Sequence, residues 1–189
     1  MKSIKENYKK SWTFLKQSKN YIWFSTIIFF AFILIGFIFP TPARLETYFI
    51  EIIQEIMASI ADFSMSELTI YIFLNNLKSS FFAIILGILF GIIPVIIAIF
   101  NGYLIGFVSK TAVLEEGILI LWRLVPHGIF ELPAVLISIG LGTKIGIDLL
   151  KKNPRRLLKK NFIESLRVFA FIIFPLILIA AIIEGILAF

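Results

Sequence analysis

From Tyr21 to Phe39 the chain is almost unbroken hydrocarbon, interrupted only by Ser25, Thr26 and Gly36, and Pro40-Thr41-Pro42 ends the run. As an α-helix these 19 residues reach about the 30 Å of a bilayer core. A signal peptide is the competing reading of an apolar segment near an N-terminus, but it needs a small-residue cleavage site, and Phe37–Pro40 has none. A bilayer is therefore the solvent this segment demands, and composition extends the demand to the whole chain. Of 189 residues 59% are hydrophobic and 16% charged, against about 45–50% and 25% in soluble domains. A soluble enzyme and a disordered tail are thereby excluded. The absence of Cys excludes a disulfide scaffold, and a single His leaves too few soft ligands for a structural zinc or iron–sulfur site. The expected cofactor is none and the expected metal is none.

Charge orients the spans. Lys2, Lys5, Lys9, Lys10, Lys16 and Lys19 precede the first one, opposed only by Glu6, which places the N-terminus in the cytoplasm by the positive-inside rule. Residues 43–67 reverse the sign, with Glu46, Glu51, Glu55, Asp62 and Glu67 against Arg44. Their apolar residues Leu45, Phe49, Ile52, Ile56, Ile60 and Phe63 recur every three or four positions. That spacing predicts an external amphipathic helix over about 43–63, either an interfacial connector or a lid over a membrane cavity. Ser64-Met65-Ser66-Glu67 reads as a capping box that opens the next helix. Within 65–110, Gly91-Ile92-Ile93-Pro94 predicts a break, hence two spans (65–91 and 94–110) in a tight hairpin.

The segment 143–167 is again basic, with Lys144, Lys151, Lys152, Arg155, Arg156, Lys159, Lys160 and Arg167 against Asp148 and Glu164. It belongs on the cytoplasmic side, with one span (126–142) leading in and a last one (168–189) leading out. Parity then favours five crossings and an external C-terminus. Asn153-Pro154 reads as an N-cap and first helical residue, so a basic helix leads into the last span, where Pro175 is a candidate kink. The fold class is all-α, a polytopic membrane helix bundle of about five spans in a single domain. Fourteen of the 18 basic residues lie in the two cytoplasmic segments, where lipid headgroups and insertion require them. No nucleic-acid motif interleaves with them, so the expected partner is the lipid bilayer and not nucleic acid.

Polar residues inside spans carry the information, because each must be satisfied within protein. In Pro126-His127-Gly128-Ile129-Phe130-Glu131-Leu132-Pro133-Ala134, His127 and Glu131 share a helical face, Pro133 cannot bond the Ile129 carbonyl, and Arg123 adds charge nearby. The pair reads either as a structural lock between helices or as a protonatable, ligand-binding site. Asn75-Asn76, with Lys78, which is long enough to snorkel towards the surface, and Asn101-Gly102 are the next candidates. At least one of the paired asparagines faces the bundle, and Asn101 is expected as a bundle-facing donor. Glu184, near the end of the last span, reads as an interfacial acid. Gly87/Gly91, Gly102/Gly106 and Gly142/Gly146 each form a G-x-x-x-G spacing, which argues for close helix packing in either a compact bundle or a homodimer.

The asparagines and the His-Gly-x-x-Glu-x-Pro-Ala block together resemble the stage II sporulation protein M family, in an archaeal-type or standalone form. The likeness runs from about residue 10 to the C-terminus. It implies a multi-pass membrane protein. In spore-forming bacteria the named member works with peptidoglycan-degrading partners during engulfment as a membrane scaffold, so membrane or cell-envelope proteins are the implied partners. The family has no established catalytic residues, and only the motif positions His127, Glu131, Asn75, Asn76 and Asn101 carry over. The expected function is a non-enzymatic scaffold or complex subunit. The alternative is a transporter or binder of a small molecule, ion or lipid. An intramembrane hydrolase is disfavoured, since no Ser-x-x-Lys, Gly-x-Ser-x-Gly or His-Glu-x-x-His motif is present.

Overall fold

The computed structural model of the chain describes residues 3–187, apart from the side chains of 123–127. No glycine or proline interrupts the first 35 residues, and the lysine-rich flank and the first span accordingly form one helix, α1 (Ile4–Ile38). At 1.5 Å per residue it is about 52 Å long, well beyond a hydrocarbon core. Its N-terminal part leans across the bundle. The Tyr8 ring meets Phe171 edge-on at 5.4 Å, and the Lys144 ammonium lies 5.9 Å above the Phe14 ring.

After Pro40-Thr41-Pro42 comes α2 (Ala43–Ile60). Of the expected stripe only Phe49 is buried, its ring packed at 5.4–5.9 Å on Phe100, Tyr103 and Phe107. Glu46, Glu51 and Glu55 are exposed, as the amphipathic pattern requires. The capping box forms as read. Ser64 Oγ accepts from the Glu67 N–H, the Ser64 N–H donates to Glu67 Oε2 at 2.8 Å, and α3 (Met65–Ile85) follows.

The hairpin forms too, though proline does not make it. A 3-10 turn (Leu86–Ile88) leads to Phe90 and Gly91, both at positive φ (55° and 73°). α4 (Ile92–Glu116) starts immediately afterwards. Pro94 sits in the first turn of α4, where a helix has no intrahelical acceptor for an N–H. The reversal depends on the left-handed Phe90-Gly91 pair.

A 3-10 segment (Ile118–Leu124) connects to α5 (Val125–Asp148), so the first six residues of the expected basic segment belong to this helix. In α5's most apolar 18-residue window 50% of residues are buried, against 17–33% in the other span-length helices, which makes α5 the centre of the bundle. α1, α3, α4 and α7 surround it. α6 (Pro154–Val168) starts at Asn153-Pro154 and runs through a π-helical turn (Phe169–Ile173) into α7 (Phe174–Leu187). Pro175 lacks the N–H that would serve Phe171, and the π turn ends just before it.

The three G-x-x-x-G spacings are used within the chain. Gly102 and Gly106 meet the α1 backbone at Phe29 and Ile33, while Gly36 of α1 meets α4 at Tyr103. Gly87 and Gly91 pack on Gly142 and Gly146 of α5, and a Cβ on Gly87 would lie 2.6 Å from the Gly142 Cα. All six glycines of these spacings make close contacts within the chain. The hairpin tip therefore meets the end of α5 that precedes the basic segment. Gly185 of α7 packs on Thr69 near the start of α3, at the opposite end. Buried hydroxyls add no unsatisfied cost at several contacts: Ser18, Ser138 and Thr143 donate to the carbonyls of Phe14, Ala134 and Ile139 at 2.8–2.9 Å.

Candidate functional site

The polar residues expected in the spans fall into three environments. Asn76 is buried on the bundle side of α3, whereas Asn75, about 100° around the helix, is exposed. Lys78 and Ser79 share that exposed side. Asn101 corrects the expectation of a bundle-facing donor. Its neighbour Gly102 takes the close contact with α1, Asn101 itself is turned outward, and its Nδ2 donates to the Ile97 carbonyl of its own helix at 2.8 Å.

Glu131 is half-buried beside a cavity of roughly 270 Å³ between α4 and α5, where Ser109 and Gly128 are its polar and small neighbours amid Leu104, Ile105, Val108 and Leu132. His127 and Arg123 lie outside the described side chains, so the geometry of the His127–Glu131 pair does too. α2 packs on the Phe100–Tyr103–Phe107 face of α4, whereas the cavity uses Leu104, Ile105 and Val108. α2 thus packs on a different face of α4 from the one that lines this cavity. Glu184 is half-buried near the end of α7. Among the described residues no group of three His, Cys, Asp or Glu is placed to hold a metal ion.

The most connected polar group was missed by the sequence reading. Asp148, 2% exposed at the end of α5, accepts from Lys144 at 2.7 Å, from Lys151 at 2.6 Å and from Asn161 Nδ2 at 2.6 Å. The Tyr21 hydroxyl stands 3.4 Å away and accepts from Lys151 at 3.0 Å. Four parts of the chain (α1, α5, the turn at 151 and α6) thus meet at one carboxylate. The Asp148 carboxylate, and then the Tyr21 hydroxyl, hold the Lys151 ammonium charged well above the usual lysine range. A signal existed in the sequence: Lys144 and Asp148 are four apart, and Asp148 is one of only two acids in a run of basic residues. Its ion pairs and hydrogen bonds tie α1, α5 and α6 together at one end of the bundle.

Five helices among the described residues are long and apolar enough to cross a membrane, and four of them surround the fifth, α5, with glycines at several of the helix contacts. That defines an α-helical polytopic membrane protein. Residues 25–188 match the stage II sporulation protein M family, and the chain belongs to it. The uncharacterized protein MJ0793 of Methanocaldococcus jannaschii is 36% identical over 116 residues, or 58% of this chain. That match covers 65% of the relative's own length, just under two thirds. No solved structure matches the chain.

Proposed function

We propose that the protein is a non-enzymatic subunit of a larger membrane assembly, inserted with its lysine-rich end in the cytoplasm and its C-terminus outside. One observation carries the reading. Asn75, Lys78 and Ser79 are exposed on a single side of α3, with Lys78 13 residues from Met65 and 10 from Ile88. These distances correspond to about 20 and 15 Å along the helix, near the middle of a span of that length. A lysine facing hydrocarbon at that depth costs at least about 2.5–3.5 kcal/mol, and an amide beside it adds to the cost. A protein neighbour offering acceptors removes both. The scaffold role of the named bacterial family member is of the same kind.

The test is mass measurement of the full chain extracted from its own membranes in polymer-bounded discs. The wild type is expected in an assembly larger than one chain. Asn75→Leu/Lys78→Leu/Ser79→Ala is expected to release it as single chains with an unchanged melting temperature, because all three side chains are exposed. A wild type that is already a single chain overturns the reading.

A second reading, transport or binding of a small molecule, ion or lipid, is favoured by the Glu131 cavity. It expects Glu131→Gln to abolish a flux that the wild type supports in proteoliposomes. Equal flux in the two proteins removes it.

A further inference from the structure

The N-terminal part of α1, the middle of α5 and the π turn before α7 enclose an open groove of roughly 700 Å³ that shares no lining residue with the Glu131 cavity. Its floor is hydrocarbon, from Leu15, Ile137, Ile172, Pro175 and Ile179. Tyr8, Lys9 and Trp12 stand at its rim. Tyrosine and tryptophan beside lysine are the side chains that settle at a headgroup boundary. The π turn Phe169–Ile173 lies directly against the groove, and such turns recur at functional positions in helices.

Lys9 also lines a second, polar cleft of about 440 Å³ between α1 and α6, with Thr13, Gln17 and Lys160. Two acids enter this cleft, but both are engaged: Glu6 with Lys10 at 2.7 Å, and Glu164 with Arg167. Among the described residues Lys9 and Lys160 pair with no carboxylate. A hydrocarbon groove thus opens beside a cleft with two uncommitted ammonium groups, and Lys9 belongs to both.

We infer that this groove seats one acyl chain of an anionic phospholipid, whose phosphate is held by Lys9 and Lys160. The chain lies from Tyr8 and Phe171 towards Ile179, two helical turns deeper. The headgroup is at the basic end of the bundle, where the cytoplasmic leaflet supplies anionic lipid. The site rests on the orientation proposed above but not on the subunit reading, because it shares no residue with the polar side of α3.

Native mass spectrometry of the full chain in detergent, titrated with dioleoyl phosphatidylglycerol or dioleoyl phosphatidylcholine, tests this. One phosphatidylglycerol is expected to bind at least tenfold more tightly than phosphatidylcholine. Lys9→Gln/Lys160→Gln is expected to remove that preference, at about fivefold per lysine, and to leave phosphatidylcholine binding unchanged. Ile179→Trp, at an exposed position, fills the groove and should abolish binding of both lipids without lowering the melting temperature. Equal affinity for the two lipids, or a preference that survives loss of both lysines, overturns the proposal. So does displacement of the lipid by glycerol 3-phosphate, which marks a free phosphate site. A lipid-free wild-type dimer that Ile179→Trp converts to monomers gives the groove to a second copy and equally refutes it.

Discussion

Gly142→Val is expected to prevent the chain from being recovered as a monodisperse, cooperatively melting protein in mild detergent. Gly142 lies where α5 meets both arms of the hairpin, against the Ala83 carbonyl and 2.8 Å from Pro94 Cγ when a Cβ is built on it. Two of these neighbours are unusually hard to move. Ala83 is 1% exposed and presents backbone, and Pro94 is fixed by its ring in the first turn of α4. Forcing extra carbons into a packed interior commonly costs about 1–3 kcal/mol, and more where the obstacle is backbone. Gly142→Ala already places its Cβ against the Ala83 carbonyl, so it too is expected to lower the melting temperature strongly, and Gly142→Val, with two further carbons, more so. Thermal unfolding of the two variants beside the wild type checks the ranking. A Gly142→Val protein that melts with the wild type would mean that the hairpin does not pack on α5 as described.

This expectation also marks what was legible in the sequence and what was not. Span number, the capping box at Ser64 and the helix start at Pro154 follow from local rules, because hydrocarbon length, cap chemistry and proline geometry each act within a few residues. The same rules place the reversal near Gly91. They do not show that Phe90 also takes a positive φ, since that strain is supported by the tertiary contact of Gly91 with Thr143 and Gly146. Glycine spacing is equally local, yet its partner is not. The sequence of α4 is the same whether Gly106 meets Ile33 of its own chain or a second copy.

Polar residues behave in a similar way. That Asn75 and Asn76 point in different directions follows from 100° per residue. Which one is inside depends on where α5 lies. Asn101 was misplaced because its glycine neighbour, and not the amide, takes the contact with α1. Glu131 stands in a conspicuous motif, whereas Asp148 is one of two acids embedded in a basic run, and its partners Tyr21 and Asn161 are remote in sequence.

Asp148→Ala should therefore be more damaging than Glu131→Ala, although the four-residue spacing to Lys144 is the main sign of it in the local sequence. Removing the carboxylate leaves Lys144, whose side chain is 13% exposed, without an anion at the end of α5. Breaking a buried pair in this way costs about 3–5 kcal/mol. Lys151 is half exposed and recovers water, so its share is at most about 1 kcal/mol. Asn161, 3% exposed, loses its acceptor and with it the tie of α6 to α5. Two readouts separate this joint from a general loss of packing. Melting temperature should fall by many degrees in Asp148→Ala. Proteolysis at the basic residues 151–160 should accelerate at temperatures where the spans remain helical by circular dichroism, because α6 detaches before the bundle opens. Lys144→Leu/Asp148→Leu removes both charges together and should recover most of the melting temperature, since a buried pair replaced by apolar groups is often neutral or stabilising. It should still be cleaved faster than the wild type, because no carboxylate remains for Asn161. Equal melting of Asp148→Ala and the wild type would show that the carboxylate is not the joint between α1, α5 and α6.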